Sequence, residues 1–135
     1  MAEKVEFELV SPERLLVSQQ VDMVVVPGTE GDFGALPQHA PMITSVRPGV
    51  IDIYDNGDVR ERIFVAGGFA EVTETRVTVL AEEAVKVDDL NADKVAARIR
   101  AAEEAIEEAD GELARALAQR SLAVARAMEA ALNQG

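Results

Sequence analysis

A single histidine, His39, occurs among the 135 residues, and it is the first side chain to test for chemistry. A general base working near neutral pH needs a second group to orient it and a pocket to hold a substrate. His39 stands between Gln38 and Ala40, with Pro41 next. That setting points to packing or hydrogen bonding at a protein contact rather than to proton transfer. Carboxylates are abundant, 25 against 13 lysines and arginines. Neighbouring pairs such as Glu82-Glu83 and Asp88-Asp89 therefore arise by chance and read as solvated surface. Gly28-Thr29-Glu30-Gly31 is not a phosphate loop, because no Gly-Lys-Ser/Thr follows and no helix is expected there. No zinc-protease helix motif, Gly-x-Ser-x-Gly elbow or calcium-loop spacing occurs. Without cysteine there is no disulfide framework and no thiolate metal site. These residues make up no catalytic set and no metal centre, so the chain is expected not to be an enzyme by itself.

Charge narrows the partners. The net charge is −12, which repels phosphate backbones and anionic lipid. Aromatic residues are 4% with no tryptophan, a poor supply of base-stacking platforms. No nucleic acid is expected as a partner. The N-terminal residues show no basic stretch leading into a long apolar run, so no signal peptide is expected. No segment approaches the ~20 apolar residues of a membrane-spanning helix. Membrane association is expected only indirectly, through a partner.

The elements that carry these residues change character near Asp88-Asp89. Before that point Gly, Pro, Val and Ile dominate; after it Ala, Glu and Arg, with no proline. Val5-Glu6-Phe7-Glu8-Leu9 alternates with the period of a half-buried strand. Ile51-Asp52-Ile53-Tyr54 alternates and meets Asp55-Asn56-Gly57-Asp58, and Asn-Gly supplies the positive φ angles of a tight hairpin. Further short runs at Val21–Val26, Phe69–Val72 and Arg76–Leu80, with no helix between them, predict an all-β domain over residues 1–88. Residues 89–135 predict an antiparallel two-helix hairpin. Val95, Ile99, Ala102, Ile106 and Ala109 form one stripe; Leu113, Leu117, Val124, Met128 and Leu132 form the other. Asn91 or Asp89 caps the first helix, and Gly111 ends it. Alanine-rich stripes bury little area, so the arm is expected to detach or open at modest cost.

Residues 27–44, PGTEGDFGALPQHAPMIT, read as a run of constrained turns. Gly28, Gly31 and Gly34 allow backbone angles closed to other residues, while Pro27, Pro37 and Pro41 fix φ. A loop shaped in this way usually holds a partner. The stretch resembles the epsilon-subunit pattern of F-type ATP synthases, P-G-x-x-G-x-F-G-x-L-P-x-H-A-P-x-x-T. Arg47-Pro48-Gly49, Gly67-Gly68-Phe69-Ala70-Glu71-Val72 and Val77-Thr78-Val79-Leu80-Ala81 extend the match.

The resemblance implies a flattened antiparallel β-sandwich of about ten short strands, followed by the helix hairpin. It implies a non-catalytic rotor-stalk subunit of a bacterial proton-translocating ATP synthase, at the cytoplasmic face of the inner membrane. The implied partners are the gamma subunit, the c-subunit ring and, when the hairpin extends, the alpha/beta catalytic head, where the extended form restrains ATP hydrolysis in many relatives. Carried over position by position, Ser11, His39, Pro41, Met42 and Thr44 mark the gamma contact. Glu30, Asp32 and Phe33 lie in the loop facing the c ring. A nucleotide motif of some relatives aligns with Leu90-Asn91-Ala92-Asp93-Lys94-Val95, but Asn91 replaces an acid and Lys94 replaces an arginine. Arg98 and Arg100 remain behind it. Lysine lacks the planar fork of arginine, so no cofactor is expected and ATP binding is the minor reading. Arg115, Arg120 and Arg126 on the second helix are candidates for acidic loops of the head. The rival reading is a stand-alone β-sandwich binding module whose helical arm senses ATP or another small anion.

Overall fold

The computed structural model describes residues 3–134. The chain divides after Lys86 into two compact units, two residues before the boundary expected from composition. The first unit is built of ten strands: β1 (Val5–Val10), β2 (Leu15–Val21), β3 (Met23–Gly28), β4 (Gly31–Ala35), β5 (Met42–Val46), β6 (Gly49–Asp55), β7 (Asp58–Val65), β8 (Gly68–Val72), β9 (Arg76–Ala81) and β10 (Ala84–Lys86). They form one continuous sheet in the order β10-β7-β6-β3-β5-β8-β9-β1-β2, with β4 paired to β3. The sheet folds on itself over a core of Val5, Phe7, Leu9, Val24, Ile51 and Val79, among others.

Strand alternation sets that core. Val5, Phe7 and Leu9 are fully buried while Glu6, Glu8 and Val10 are only partly so. The Asn56-Gly57 turn joins β6 and β7 with φ of 55° and 84°, the positive pair that a two-residue hairpin requires. Two expectations are corrected. One pair is not antiparallel: β1 runs parallel to β9, with Phe7 beside Val77 and Val10 beside Leu80. Parallel neighbours need a long connection, and here nearly the whole sandwich intervenes between the two strands. The second correction concerns residues 27–44, which are not only turns. They contain β4 and the start of β5, strands hidden in the sequence because glycine and proline break the period of two.

A buried carboxylate closes one end of the sandwich. Lys4 Nζ lies 2.6 Å from Asp55 Oδ1 and 3.7 Å from Asp22 Oδ1. Arg60 Nη1 donates to Asp55 Oδ2 at 2.9 Å, and the Asn56 N–H donates to Asp22 Oδ2 at 2.6 Å. The Lys4 hydrogen bond, reinforced by Arg60, holds the Asp55 carboxyl below its usual 3.8 against the opposing effect of burial. The bond to Asp55 likewise raises Lys4 above its usual 10.5. A depressed acid stabilises above its unfolded value and loses that contribution as pH falls through the folded value. A raised base stabilises fully below its unfolded value and loses that contribution as pH rises through the folded value. In urea unfolding, the Asp55→Asn variant should therefore lose stability relative to the parent at neutral pH. The gap should narrow below about pH 4. A gap that stays constant to pH 2 would contradict this.

The second unit holds a 3-10 turn (Val87–Asp89), α1 (Ala92–Glu108) and α2 (Glu112–Asn133). The Asn91 side chain caps α1 by accepting the Lys94 N–H at 3.1 Å. Gly111 does not end α1, contrary to expectation. Ala109 already leaves the helix with φ −62° and ψ 128°, and Gly111, at φ 97°, precedes α2 as its N-cap. The second apolar stripe is also corrected. The buried residues of α2 are Ala118, Val124, Ala125, Met128 and Ala131, whereas Leu113 and Leu117 are 74% and 58% exposed. Burial in α1 likewise covers Val95, Ile99 and Ala102 and thins toward Ile106.

Candidate docking surface

β-strand alternation that buries one set of side chains must present the other set to the opposite face. On β5, β8, β9, β1 and β2 that outer face carries a lateral row read directly from the register. Ser45 stands beside Phe69, Phe69 beside Leu80, Leu80 beside Val10, and Val10 beside Leu15. Phe69 is 59% exposed and Leu80 54%. Ile43, two residues along β5 from Ser45, is 73% exposed. An open hollow of about 280 Å³ lies at the centre of the row, lined by Val10, Ser11, Pro12, Phe69 and Leu80. Contiguous apolar side chains on a sheet face are costly to leave in water and mark an interaction surface.

The other end of the same face is polar. Arg76 Nη2 lies 3.1 Å from Glu6 Oε2, and Arg76 Nε lies 3.5 Å from Glu8 Oε1. The Glu6 hydrogen bond and charge raise the guanidinium further. An apolar centre flanked by ion pairs has the anatomy of a protein interface.

Glycines make the close strand approach behind this row. Gly68 has a φ of 141°, and a Cβ there would meet the Leu80 carbonyl oxygen at 2.0 Å. Only glycine lets β8 and β9 pair with Phe69 and Leu80 side by side.

The positions expected at the gamma contact fall unevenly on this surface. Ser11 borders the hollow and ties the β1–β2 turn, its N–H donating to the Arg14 carbonyl at 2.9 Å. Pro41 is exposed just before β5. His39 is half-buried; its Nδ1–H donates to the Ala40 carbonyl at 2.6 Å, and its ring stands 6.4 Å from that of Phe33. Met42 is half-buried and packs against the core. Thr44 is half-buried on the same side of β5 as Met42 and the buried Val46; its hydroxyl donates to the Ser45 carbonyl at 3.2 Å. Their neighbours Ile43 and Ser45 are the residues that face outward.

The loop expected at the c ring is the β3–β4 turn. Glu30 is exposed at its tip. Asp32 is exposed but paired with Arg47. Phe33 is half-buried and packs on the core beside His39.

On the helices, Asn91 spends its side-chain oxygen on the cap, and Lys94 supplies the capped N–H while its side chain is exposed. Arg98 and Arg100 are exposed on α1. Arg115 and Arg120 are exposed on α2, and Arg126 pairs with Glu103 of α1 at 3.3 Å and with Glu129 at 3.9 Å. No group of acidic or histidine side chains suited to a metal ion occurs among the described residues. None of their helices is long and apolar enough to cross a membrane.

Comparison with known proteins decides the family. Residues 4–87 match the ATP synthase delta/epsilon chain beta-sandwich domain. The chain belongs to the ATP synthase delta/epsilon family. It is 63% identical to the ATP synthase epsilon chain of Paramagnetospirillum magneticum over 98% of its own length and 99% of that protein's. It is 59% identical to the epsilon chain of Rhodospirillum rubrum over 97% and 98%. These bacterial epsilon chains are non-catalytic subunits of ATP synthase. The fold also matches a chain of the Euglena gracilis mitochondrial ATP synthase OSCP/F1/c-ring assembly, with a TM-score of 0.83 and 23% identity over 98% of this chain and 83% of that one. A chain of the Tetrahymena thermophila mitochondrial ATP synthase central stalk/c-ring gives a TM-score of 0.74 at 14% identity, over 97% and 98%. Within the family's sandwich, the row Ser45, Phe69, Leu80, Val10 and Leu15, with Ile43 near its end, is what sequence reasoning did not single out. The alternation in Phe69-Ala70-Glu71-Val72 held the signal, but strand neighbours were needed to assemble it.

Proposed function

We propose that this epsilon chain is a central-stalk subunit of a bacterial proton-translocating ATP synthase, at the cytoplasmic face of the inner membrane. The outer face of β5, β8, β9 and β1 docks on gamma, and the β3–β4 turn meets the c ring. The exposed apolar row through Phe69 and Leu80 carries this reading. Bound to a partner, that row supplies the desolvated centre of a stable contact. Ser11 borders it, His39 and Pro41 lie in the segment that leads into β5, and Met42 packs on the core from that strand. Rotation of the c ring then reaches gamma through a rigid sandwich, and no bond chemistry is asked of this chain.

The helical unit supports a regulatory role. Half of its buried residues are alanine, so little apolar area resists its opening. Leu113 and Leu117 at i and i+4, with Arg120 at i+7 on the same side of α2, form an exposed mixed face suited to the catalytic head. ATP hydrolysis by the whole complex, with and without residues 89–135, tests this. The truncated complex should hydrolyse ATP several-fold faster while still assembling with gamma. Unchanged hydrolysis would remove the restraint from the account, and failure to assemble would remove the two-unit division of labour.

A further inference from the structure

Resting on that proposed function, we infer that Arg47 is a positioning residue that fastens the c-ring-facing turn to the gamma-docking strand, so that the two contacts turn as one body. Arg47 directly follows β5, which carries the outward Ile43 and Ser45. Its guanidinium reaches both strands of the β3–β4 hairpin. Nη1 donates to the Gly28 carbonyl at 2.5 Å, and Nη2 donates to Asp32 Oδ1 at 2.5 Å. Its backbone N–H donates to the Pro27 carbonyl at 2.9 Å, and the Thr29 N–H donates to the Ser45 carbonyl at 3.0 Å. Gly28 also pairs with Val46. The turn itself has no slack: a Cβ on Gly28 would meet the Gly31 carbonyl oxygen at 2.8 Å and Phe33 at 3.2 Å.

This arrangement has a charge consequence as well as a mechanical one. Arg47 offsets Asp32, which leaves Glu30 as the exposed acid at the tip, with no ion pair among the described residues. The turn therefore offers the c ring one uncompensated carboxylate, Glu30, instead of two. A planar fork that spans a carbonyl and a carboxylate needs arginine; the lysine ammonium is a point charge on a flexible stem. Arg47 and Asp32 are both well exposed, so the pair adds little to global stability. Its effect lies in the geometry of the turn.

The test measures two affinities separately in the full chain: to purified gamma, and, for the chain–gamma complex, to detergent-solubilised c ring. Arg47→Ala should leave the thermal midpoint and gamma affinity nearly unchanged, weaken c-ring binding about fivefold, and speed amide exchange in residues 28–33. Arg47→Lys should recover only part of the c-ring affinity. Parent-like c-ring binding and turn exchange in Arg47→Ala would overturn the inference alone. A parent chain that binds neither gamma nor the c ring would overturn the functional reading and this inference with it.

Discussion

Phe69→Glu combined with Leu80→Glu is expected to abolish binding to gamma while leaving the sandwich folded. The two side chains are neighbours across β8 and β9 and more than half exposed. Replacing them removes no core contact, and the loss of β-strand preference is about 1 kcal/mol at most. Bound, however, each would sit at the centre of the contact, where truncation of an anchor costs about 2 kcal/mol or more. Charge makes the loss larger, since two carboxylates would be stripped of water without partners. The dissociation constant should rise more than a hundredfold by titration calorimetry, with a near-parent circular dichroism spectrum. A parent-like affinity would move the gamma contact to another face.

Gly68→Ala should act on the same surface through stability. The residue sits at φ 141°, outside the range that side chains adopt readily, and its Cβ would lie 2.0 Å from the Leu80 carbonyl oxygen. Both strain and overlap must be relieved by separating β8 from β9. Backbone strain and overpacking each cost about 1–3 kcal/mol, so a loss of about 4 kcal/mol is expected in denaturant unfolding. Gly57→Ala is the internal control. Gly57 has a positive φ of 84° but nothing within 4 Å of its Cβ position, so its cost should be about 1–2 kcal/mol. Equal losses at both glycines would show that overlap with Leu80 contributes nothing.

Elements governed by local chemistry were legible in the sequence. The Asn56-Gly57 hairpin, the alternation of β1, the Asn91 cap and the two-helix arm all follow from neighbours within a few residues. The motif in residues 27–44 carried the family likeness, yet the same glycines and prolines that make it distinctive hid β4 and β5. What was not legible depends on residues far apart in the chain. The parallel pairing of β1 with β9 brings Val10 to Leu80, seventy residues away, and no local period encodes that. Met42 and Phe33 turn to the core, because the face each strand presents is fixed only once its register is set. Leu113 and Leu117 kept helical spacing while their side of α2 stayed exposed. Periodicity marks a stripe, but not how far along the helix the stripe is covered.

The outer face of β5, β8 and β9 is the surface proposed to be buried against gamma. The chain has no cysteine, so a single introduced thiol reports on one place. Ser45→Cys stands in the apolar row beside Phe69, and Asn56→Cys stands at the tip of the β6–β7 turn. Maleimide labelling of each should be timed with and without saturating gamma. Gamma is expected to slow labelling at position 45 at least tenfold and to leave position 56 unchanged. Equal labelling at position 45 with and without gamma, or protection confined to position 56, would contradict it.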